Sequence, residues 1–460
     1  MDHNIITEAN QPCVNIEKFL NIIPLELDSH YKAKESHFTR KRKIPLPRLI
    51  TFTLSSVASG SNKGVDIKSG EFFRNARRSG LWSDSESIHR SSLTKGRKKI
   101  SWQVFQNMLH KAVNVAYDVW PEDPKYLWHG LSVFAIDGSK YSLPATKEIR
   151  EKFDPESGLE YSGKGHYPHC LVSTIFDVFR RLPVGRTVVG IDGSEREEVK
   201  NLLSCIPCAA QSVVLFDRGY PSYELILYLL YNYAGYFVFR CPASSTFPAV
   251  ESFIKSGKLE DEIWITPSNN YVRKLSKEER KNIKSIKLRV IKLVSPDGTV
   301  SVLLSNLFDR KEFPRRETEG LYFKRYKVEE QYRDEKVTME IEQFHSKNIN
   351  GILQELFAAV VMTVITRTLM VISSSFFGGD RDKEFRVSAP NGQKTSNVKQ
   401  KEVKKHGKEN PPSLDHPFFL KEIKESFILS VVYVKRSKLF WIFSSRYKGS
   451  EKIKEIRKKV

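Results

Sequence analysis

The chain has 460 residues, of which 40% are hydrophobic and 28% charged, a balance that excludes low-complexity, collagen-like and disulfide-framework proteins. Its length suits two to four domains. With 75 Lys+Arg against 54 Asp+Glu the formal net charge is +21, which predicts an anionic partner, nucleic acid first and an anionic membrane surface second.

Residues 1 to about 125 read as a small helical domain. Met1 to Asn10 has no basic, apolar leader, so no secretory signal is expected. Apolar residues recur at helical spacing in Ile16-Phe19-Leu20-Ile23 and in Trp102-Phe105-Leu109-Val113. Basic clusters interleave with them: Arg40-Lys41-Arg42-Lys43, Arg77-Arg78 and Arg97-Lys98-Lys99. Such a domain suits DNA docking, and a solvated helical cap would look the same.

From about 126 the pattern is that of a mixed α/β sheet. Leu131–Ile136 is an apolar run ending in Asp137-Gly138-Ser139, and His169–Phe179 and Pro183–Gly190 read as two further strands. Residues 195–205 read as a helix. Ser212–Phe216 is a buried-type strand ending in Asp217-Arg218-Gly219-Tyr220, followed by a helix over Pro221–Tyr233 with proline in its first turn and a strand at Tyr236–Arg240. Between about 242 and 310 strands dominate, at Glu262–Ile265, Ile286–Val294 and Val300–Ser305, with a turn at Ser295-Pro296-Asp297-Gly298. Helices return over roughly 318–342 and 350–372.

The longest apolar run, Leu356–Ile372, contains Arg367 and three threonines and is read as a buried helix, so no membrane partner is expected. Residues 373–412 read as a flexible linker and 413–460 as a basic C-terminal segment. Cys205-Ile206-Pro207-Cys208 is a lone pair without a second one at zinc spacing, read as ordinary reduced thiols of a cytoplasmic protein.

Three acids stand out by context. Asp137 and Asp217 follow buried strands, where an open α/β sheet collects ligands, and Glu329 lies in a charged helix. Carboxylates from separate elements are a natural way to hold hard divalent cations. A pair of ions about 3.5–4 Å apart can activate an attacking oxygen and stabilise a leaving one. Taken singly, each acid is as well explained by a turn, a capped strand end or a solvated helix. At about 100° per residue, Tyr322, Arg325, Glu329 and Lys336 fall within about 60° of one another on a helix, so a hydroxyl, a guanidinium, a carboxylate and an ammonium share a face. Arg325 and Glu329 also fit a plain i,i+4 surface pair.

The spacing Tyr322-x2-Arg325-x3-Glu329-x6-Lys336 matches the signature of the IS4-family insertion-sequence transposases. Ile136-Asp137-Gly138-Ser139 with Leu143-Pro144, and Phe216-Asp217-Arg218-Gly219-Tyr220, resemble that family's two Asp motifs, and Ser91–Phe105 is similar to its N-terminal helical region. The resemblance runs from about residue 70 to 372. It implies an α/β, ribonuclease-H-like catalytic core at 126–372, interrupted by a β-rich insertion at about 242–310, which follows the helical segment 1–125 read above as DNA-binding. It implies a DDE triad of Asp137, Asp217 and Glu329 holding two Mg²⁺ (or Mn²⁺) ions. It assigns Tyr322, Arg325 and Lys336 to the transposon end near the scissile phosphate.

Arg218 and Arg240, beside or just after strand ends, are further candidates for phosphate contact, with a local ion pair as the alternative. Trp264 is read as an ordinary strand aromatic, although some relatives use an aromatic there to stabilise a flipped base. His166 and His169, at i,i+3 without a third ligand, are not read as a metal pair. The expected partners are double-stranded DNA, both terminal inverted repeats and target, and a second copy of the chain when two ends are joined. The competing readings are a transposase-derived DNA-binding protein or repressor without catalysis, and a metal nuclease that hydrolyses without joining.

Overall fold

The computed structural model describes residues 18–19, 21–40, 43–58, 64–78, 85–157, 167–243, 246–281, 283–294 and 298–377. The N-terminal part is helical: α1 (Leu46–Ala58), α2 (Val65–Arg78), α3 (Arg90–Arg97) and α4 (Gln103–Val119). Only Lys18 and Phe19 of the expected first helix are described as helical, and a turn follows from Asn21.

The sheet begins with β1 (Ser132–Ser142), followed by α5 (Lys147–Phe153), β2 (His169–Asp177), β3 (Leu182–Gly190), α6 (Glu195–Leu203), β4 (Ser212–Phe216), α7 (Tyr223–Asn232) and β5 (Tyr236–Pro242). Then come α8 (Pro248–Lys255), β6 (Glu260–Ile265), α9 (Asn269–Lys274), α10 (Lys277–Lys281), β7 (Ile286–Val294) and β8 (Val300–Ser305). The chain closes with α11 (Arg315–Phe323), a 3-10 turn over Lys324–Tyr326, α12 (Lys327–Arg333), a π-turn over Asp334–Thr338 and α13 (Ile349–Phe377). The fold is therefore mixed α/β.

All eight strands form one sheet in the order β3-β2-β1-β4-β5-β8-β7-β6. β1, β2 and β3 are an antiparallel meander, and β4 and β5 run parallel to β1. The central strands are apolar because both faces are covered: Val133 to Ile136 and Val213 to Phe216 are all at 0% exposure. Each of the Val, Leu, Ile and Phe side chains among them contributes about 1.5–3 kcal/mol of burial. The three strands between 260 and 305 do not fold apart. β8 takes the open edge of β5 in antiparallel register, and β7 and β6 extend the sheet from there.

Four boundaries differ from expectation for identifiable reasons. β1 does not stop at Asp137, because its second half stays paired with β2 as far as Ser142↔His169. β2 stops at Asp177, whose carboxylate accepts the Phe179 and Arg180 amides and starts a turn in which Arg181 has φ +57°. Proline is not in the first turn of α7: Ser222 caps it, its Oγ accepting Leu225 N–H at 3.2 Å, and Pro221 stands outside. The long helix over 318–342 is four short segments, α11, the 3-10 turn, α12 and the wider π-turn, and it ends by Thr338. The Ser295–Asp297 part of the predicted turn and the stretch 378–460 lie outside the described residues, while 373–377 belong to α13.

The Ile349–Ile372 stretch of α13 is long and apolar enough to cross a membrane by length and composition, yet 83% of its apolar window is buried inside the fold. The helix packs against α4, α1 and β3, and one apolar core runs from Phe19 to Leu369 through helices and sheet alike. Arg97 fastens α3 to α13: its Nη1 meets Glu355 Oε1 at 2.7 Å, its Nε donates to Gln354 Oε1 at 3.0 Å and its Nη2 to Gly351 O at 2.9 Å. Burial alone would raise the Glu355 pKa, but Arg97 and His345 outweigh it and hold the carboxyl at about 2.

A carboxyl depressed from 4.5 to about 2 stabilises the fold fully above pH 4.5 and loses that contribution as pH falls toward 2. Glu355→Gln should lower unfolding free energy by about 3 kcal/mol near neutral pH, the low end for breaking a buried pair. It should also flatten the acid limb of the stability curve. Urea titrations across pH check this, and a loss under about 0.5 kcal/mol, as for an ordinary surface change, would contradict it.

Candidate active site

The sheet register brings the two aspartates together. β1 and β4 pair in parallel as Ser132↔Ser212 through Ala135↔Leu215. Continued two residues further, that offset sets Asp137 level with Asp217, one on a strand that runs on and the other just past a strand end. The third acid comes from α12, which packs on β1 and β2.

Their meeting point is Arg325. Its Nη1 lies 3.5 Å from Asp137 Oδ2, and its Nη2 lies 3.5 Å from Asp217 Oδ2 and 2.7 Å from Glu329 Oε1. The guanidinium is 2% exposed, the acids 20%, 28% and 46% in the same order, so the cluster is closed behind the arginine and open at Glu329. Arg325 Nε is buried with no hydrogen-bond partner among the described residues.

The remaining predicted residues line or back this cluster. Tyr322 donates its hydroxyl to Asp217 Oδ1 at 3.0 Å. Lys336 does not reach the acids; its Nζ donates to Ser139 Oγ at 2.9 Å and to Lys140 O, and lies over the Tyr141 ring at 4.7 Å. Lys336 lies in the π-turn. Arg218 is exposed beside Asp217. Arg240 is 8% exposed, donates to Ser301 Oγ at 3.3 Å and acts on Asp217 and Tyr322 through its charge.

Trp264 is 59% exposed on β6, at the edge of the sheet. His169 hydrogen bonds with Ser142 Oγ at 3.2 Å, and His166 lies outside the described residues. Cys205 is half-buried and Cys208 exposed, both unpaired.

The two aspartates are pushed apart electrostatically. Burial drives Asp137 up to about 6, against the pull of Arg325 and with Glu195 and Glu329 adding to the rise. Burial also pushes on Asp217, but Arg325, the Arg218 amide and the Tyr322 hydroxyl outweigh it and hold the carboxyl below its usual range. Arg325 thus supplies enough positive charge for one aspartate and too little for both. Hard oxygen donors turned toward a shared, under-neutralised centre suit a divalent cation. Among the described residues no three acidic, His or Cys side chains are already spaced to grip one.

Some supporting residues carry no sequence signal. Tyr332 donates to the carbonyl of Asp137 at 2.6 Å. Glu335 is fully buried and takes Arg186 Nη2, Tyr141 Oη and Gln331 Nε2, each at 2.6 Å, which ties the π-turn to β3 and β1. A fully buried Arg–Glu pair joins positions 149 residues apart, which no local pattern announces.

Residues 128–365, more than half of the chain, match the family described as Transposase DDE domain. The chain therefore belongs to the DDE-domain transposases and is a DNA transposase by family. Within that class it stands with the IS4 family of insertion sequences. It is 24% identical over 226 residues to the putative transposase InsZ of Escherichia coli (strain K12), covering 47% of this chain and 69% of that protein. It is 23% identical over 289 residues to the transposase InsG for insertion sequence element IS4 of the same organism, covering 61% of each chain. Among solved structures it is similar to the piggyBac transposase in a synaptic complex with hairpin DNA, at 9% identity and a TM-score of 0.45, over 92% of this chain and 80% of that one.

Because the Asp137 pKa is raised from 3.8 to about 6, the ionised carboxylate destabilises the fold, and the cost builds as pH rises through that window. Asp137→Asn should therefore stabilise the metal-free protein near neutral pH by about 2–3 kcal/mol, and the gain should vanish by about pH 4. Denaturation in EDTA at the two pH values checks this, and destabilisation at neutral pH would contradict it.

Proposed function

We propose that Asp137, Asp217 and Glu329 form a DDE triad that holds two Mg²⁺ (or Mn²⁺) ions and cuts and rejoins DNA at transposon ends. The observation that carries this reading is the convergence of all three carboxylates on Arg325. When bound, the ions activate the attacking oxygen and stabilise the leaving one, in both end cleavage and strand transfer. In the metal-free protein Arg325 is the stand-in cation. Its unpartnered Nε and its reach to Asp137 and Asp217 at only 3.5 Å mark a position from which it can turn.

Arg325 then contacts the non-bridging oxygens of the scissile phosphate, a task that suits a planar guanidinium. Tyr322, anchored through Asp217, orients the sugar-phosphate at the same point. Lys336, held by Ser139, neutralises the neighbouring phosphate, Arg218 meets the strand beside Asp217, and Arg240 reinforces the field from behind. Water attacks the phosphodiester at the element's end and frees a 3′-OH, which attacks target DNA in line. The protein's own contribution is positioning and charge.

The strand arrangement of β1 to β5 supports a ribonuclease-H-like core, with 242–310 as its insertion and 1–125 as the DNA-docking domain. Joining two ends calls for a pair of protein copies in the synaptic complex, working on the DNA of the cytoplasm. A repressor that had lost catalysis would not need three acids brought to one cation.

Asp137→Ala, Asp217→Ala and Glu329→Ala should each lower Mg²⁺-dependent 3′-end release by at least about 10³-fold while leaving end binding within a few-fold. Any one of them cutting at the wild-type rate would remove that acid from the site. End binding should weaken steeply between low and physiological salt, about 10³-fold or more if six or more phosphates are contacted. A flat salt response in a gel-shift titration would contradict docking through the basic surface.

A further inference from the structure

The first turn of α6 grips the turn that carries Asp217, in a way the triad alone does not require. Tyr220 donates its hydroxyl to Glu195 Oε2 at 2.7 Å, and the next side chain, Arg196, donates its Nε to Gly219 O at 2.8 Å. Tyr220 is 2% exposed, and its amide closes the turn on Asp217 O at 3.1 Å. Two consecutive residues of one helix thus hold two consecutive residues of the Asp217-Arg218-Gly219-Tyr220 turn.

The same carboxyl abuts the other aspartate. A Cβ on Gly138 would stand 2.5 Å from Glu195 Cδ and 2.6 Å from its Oε1, so Gly138 is the residue that lets Glu195 lie against the β1 backbone next to Asp137. α6 packs on β1, β2 and β3, so Glu195 is fixed to the sheet independently of β4. Its charge is felt at Asp137 and at Tyr220, which burial and this carboxylate together keep a neutral donor. One side chain therefore accounts for two motif positions, Gly138 and Tyr220, that the triad leaves unexplained.

We propose that Glu195 is a positioning residue that sets the spacing of Asp137 and Asp217, by resting on Gly138 on one side and holding Tyr220 on the other. This rests on the triad reading above. Glu195 acts as a hydrogen-bond acceptor and spacer, through Tyr220 and the β1 backbone, and does not touch the DNA. Glutamine has the same length and can accept the same hydrogen bond, whereas alanine cannot.

The test is single-turnover end cleavage at saturating DNA in Mg²⁺, with end affinity measured separately by gel shift, on the full chain. Glu195→Ala and Tyr220→Phe should each slow cleavage by roughly 10- to 100-fold, the scale of a small misplacement at a reacting centre, with end affinity within about twofold of wild type. Glu195→Gln should return cleavage to within about threefold of wild type. The double variant Glu195→Ala/Tyr220→Phe should be no slower than the slower single, as expected for one shared interaction. Losses in the double variant that multiply would overturn the inference, and so would Glu195→Gln as slow as Glu195→Ala, which would make the negative charge itself the requirement. If Asp217→Ala is inactive and Glu195→Ala cuts normally, the positioning role alone falls. If Asp137→Ala and Asp217→Ala both cut normally, the triad reading falls and takes this inference with it.

Discussion

The whole site depends on a concentration of negative charge that the fold must tolerate before any DNA arrives. Three carboxylates reach one place from β1, the end of β4 and α12, and a single guanidinium faces them all. Burial raises Asp137, with the carboxylates of Glu195 and Glu329 adding to the rise, while Arg325, the Arg218 amide and the Tyr322 hydroxyl hold Asp217 down. A structure that stores this imbalance is more stable with a stronger cation than with the arginine it carries. On the proposed reading, affinity for divalent ions and reduced stability without them would have the same origin.

The scaffold meets that demand by over-determining the geometry. The parallel register of β1 and β4 levels the two aspartates, and the fully apolar strands beneath them leave that register no freedom to slip. The C-terminal end of α12 is held to the sheet through Tyr332 on the carbonyl of Asp137, and the π-turn that follows is held through Glu335 in its buried cage of Arg186, Tyr141 and Gln331. A buried ion pair adds little net stability over an apolar pair of the same shape, but it tolerates only one arrangement of its partners. The π-turn at Asp334–Thr338 is the local distortion that accommodates it.

Much of this was legible in the residues, for reasons that can be named. β4, β7 and β8 appear with the predicted bounds because short apolar runs flanked by turn residues leave few alternatives. Asp137, Asp217 and Glu329 stand out by context and family resemblance, and the structure brings all three to Arg325. What could not be read locally is whatever depends on distant partners. β1 outlasts Asp137 because β2 pairs with it, and the helix that carries Glu329 widens into a π-turn at Glu335, which answers to Arg186. Lys336 therefore serves β1 and not the acids. Glu195 carried no signal, since an acid in the first turn of a helix is what the helix dipole favours anyway.

The clasp of Arg97 on Gly351, Gln354 and Glu355 has a consequence for how this molecule can be dissected. α13 lies between the sheet and the N-terminal helices, and its apolar surface is shared by both. A fragment beginning at β1 would keep every acid of the triad and still bare a long greasy flank that α1 and α4 normally hide. Such a fragment would self-associate through that flank. Severing the amino-terminal helices therefore means losing a wall that the sheet-bearing half shares with them.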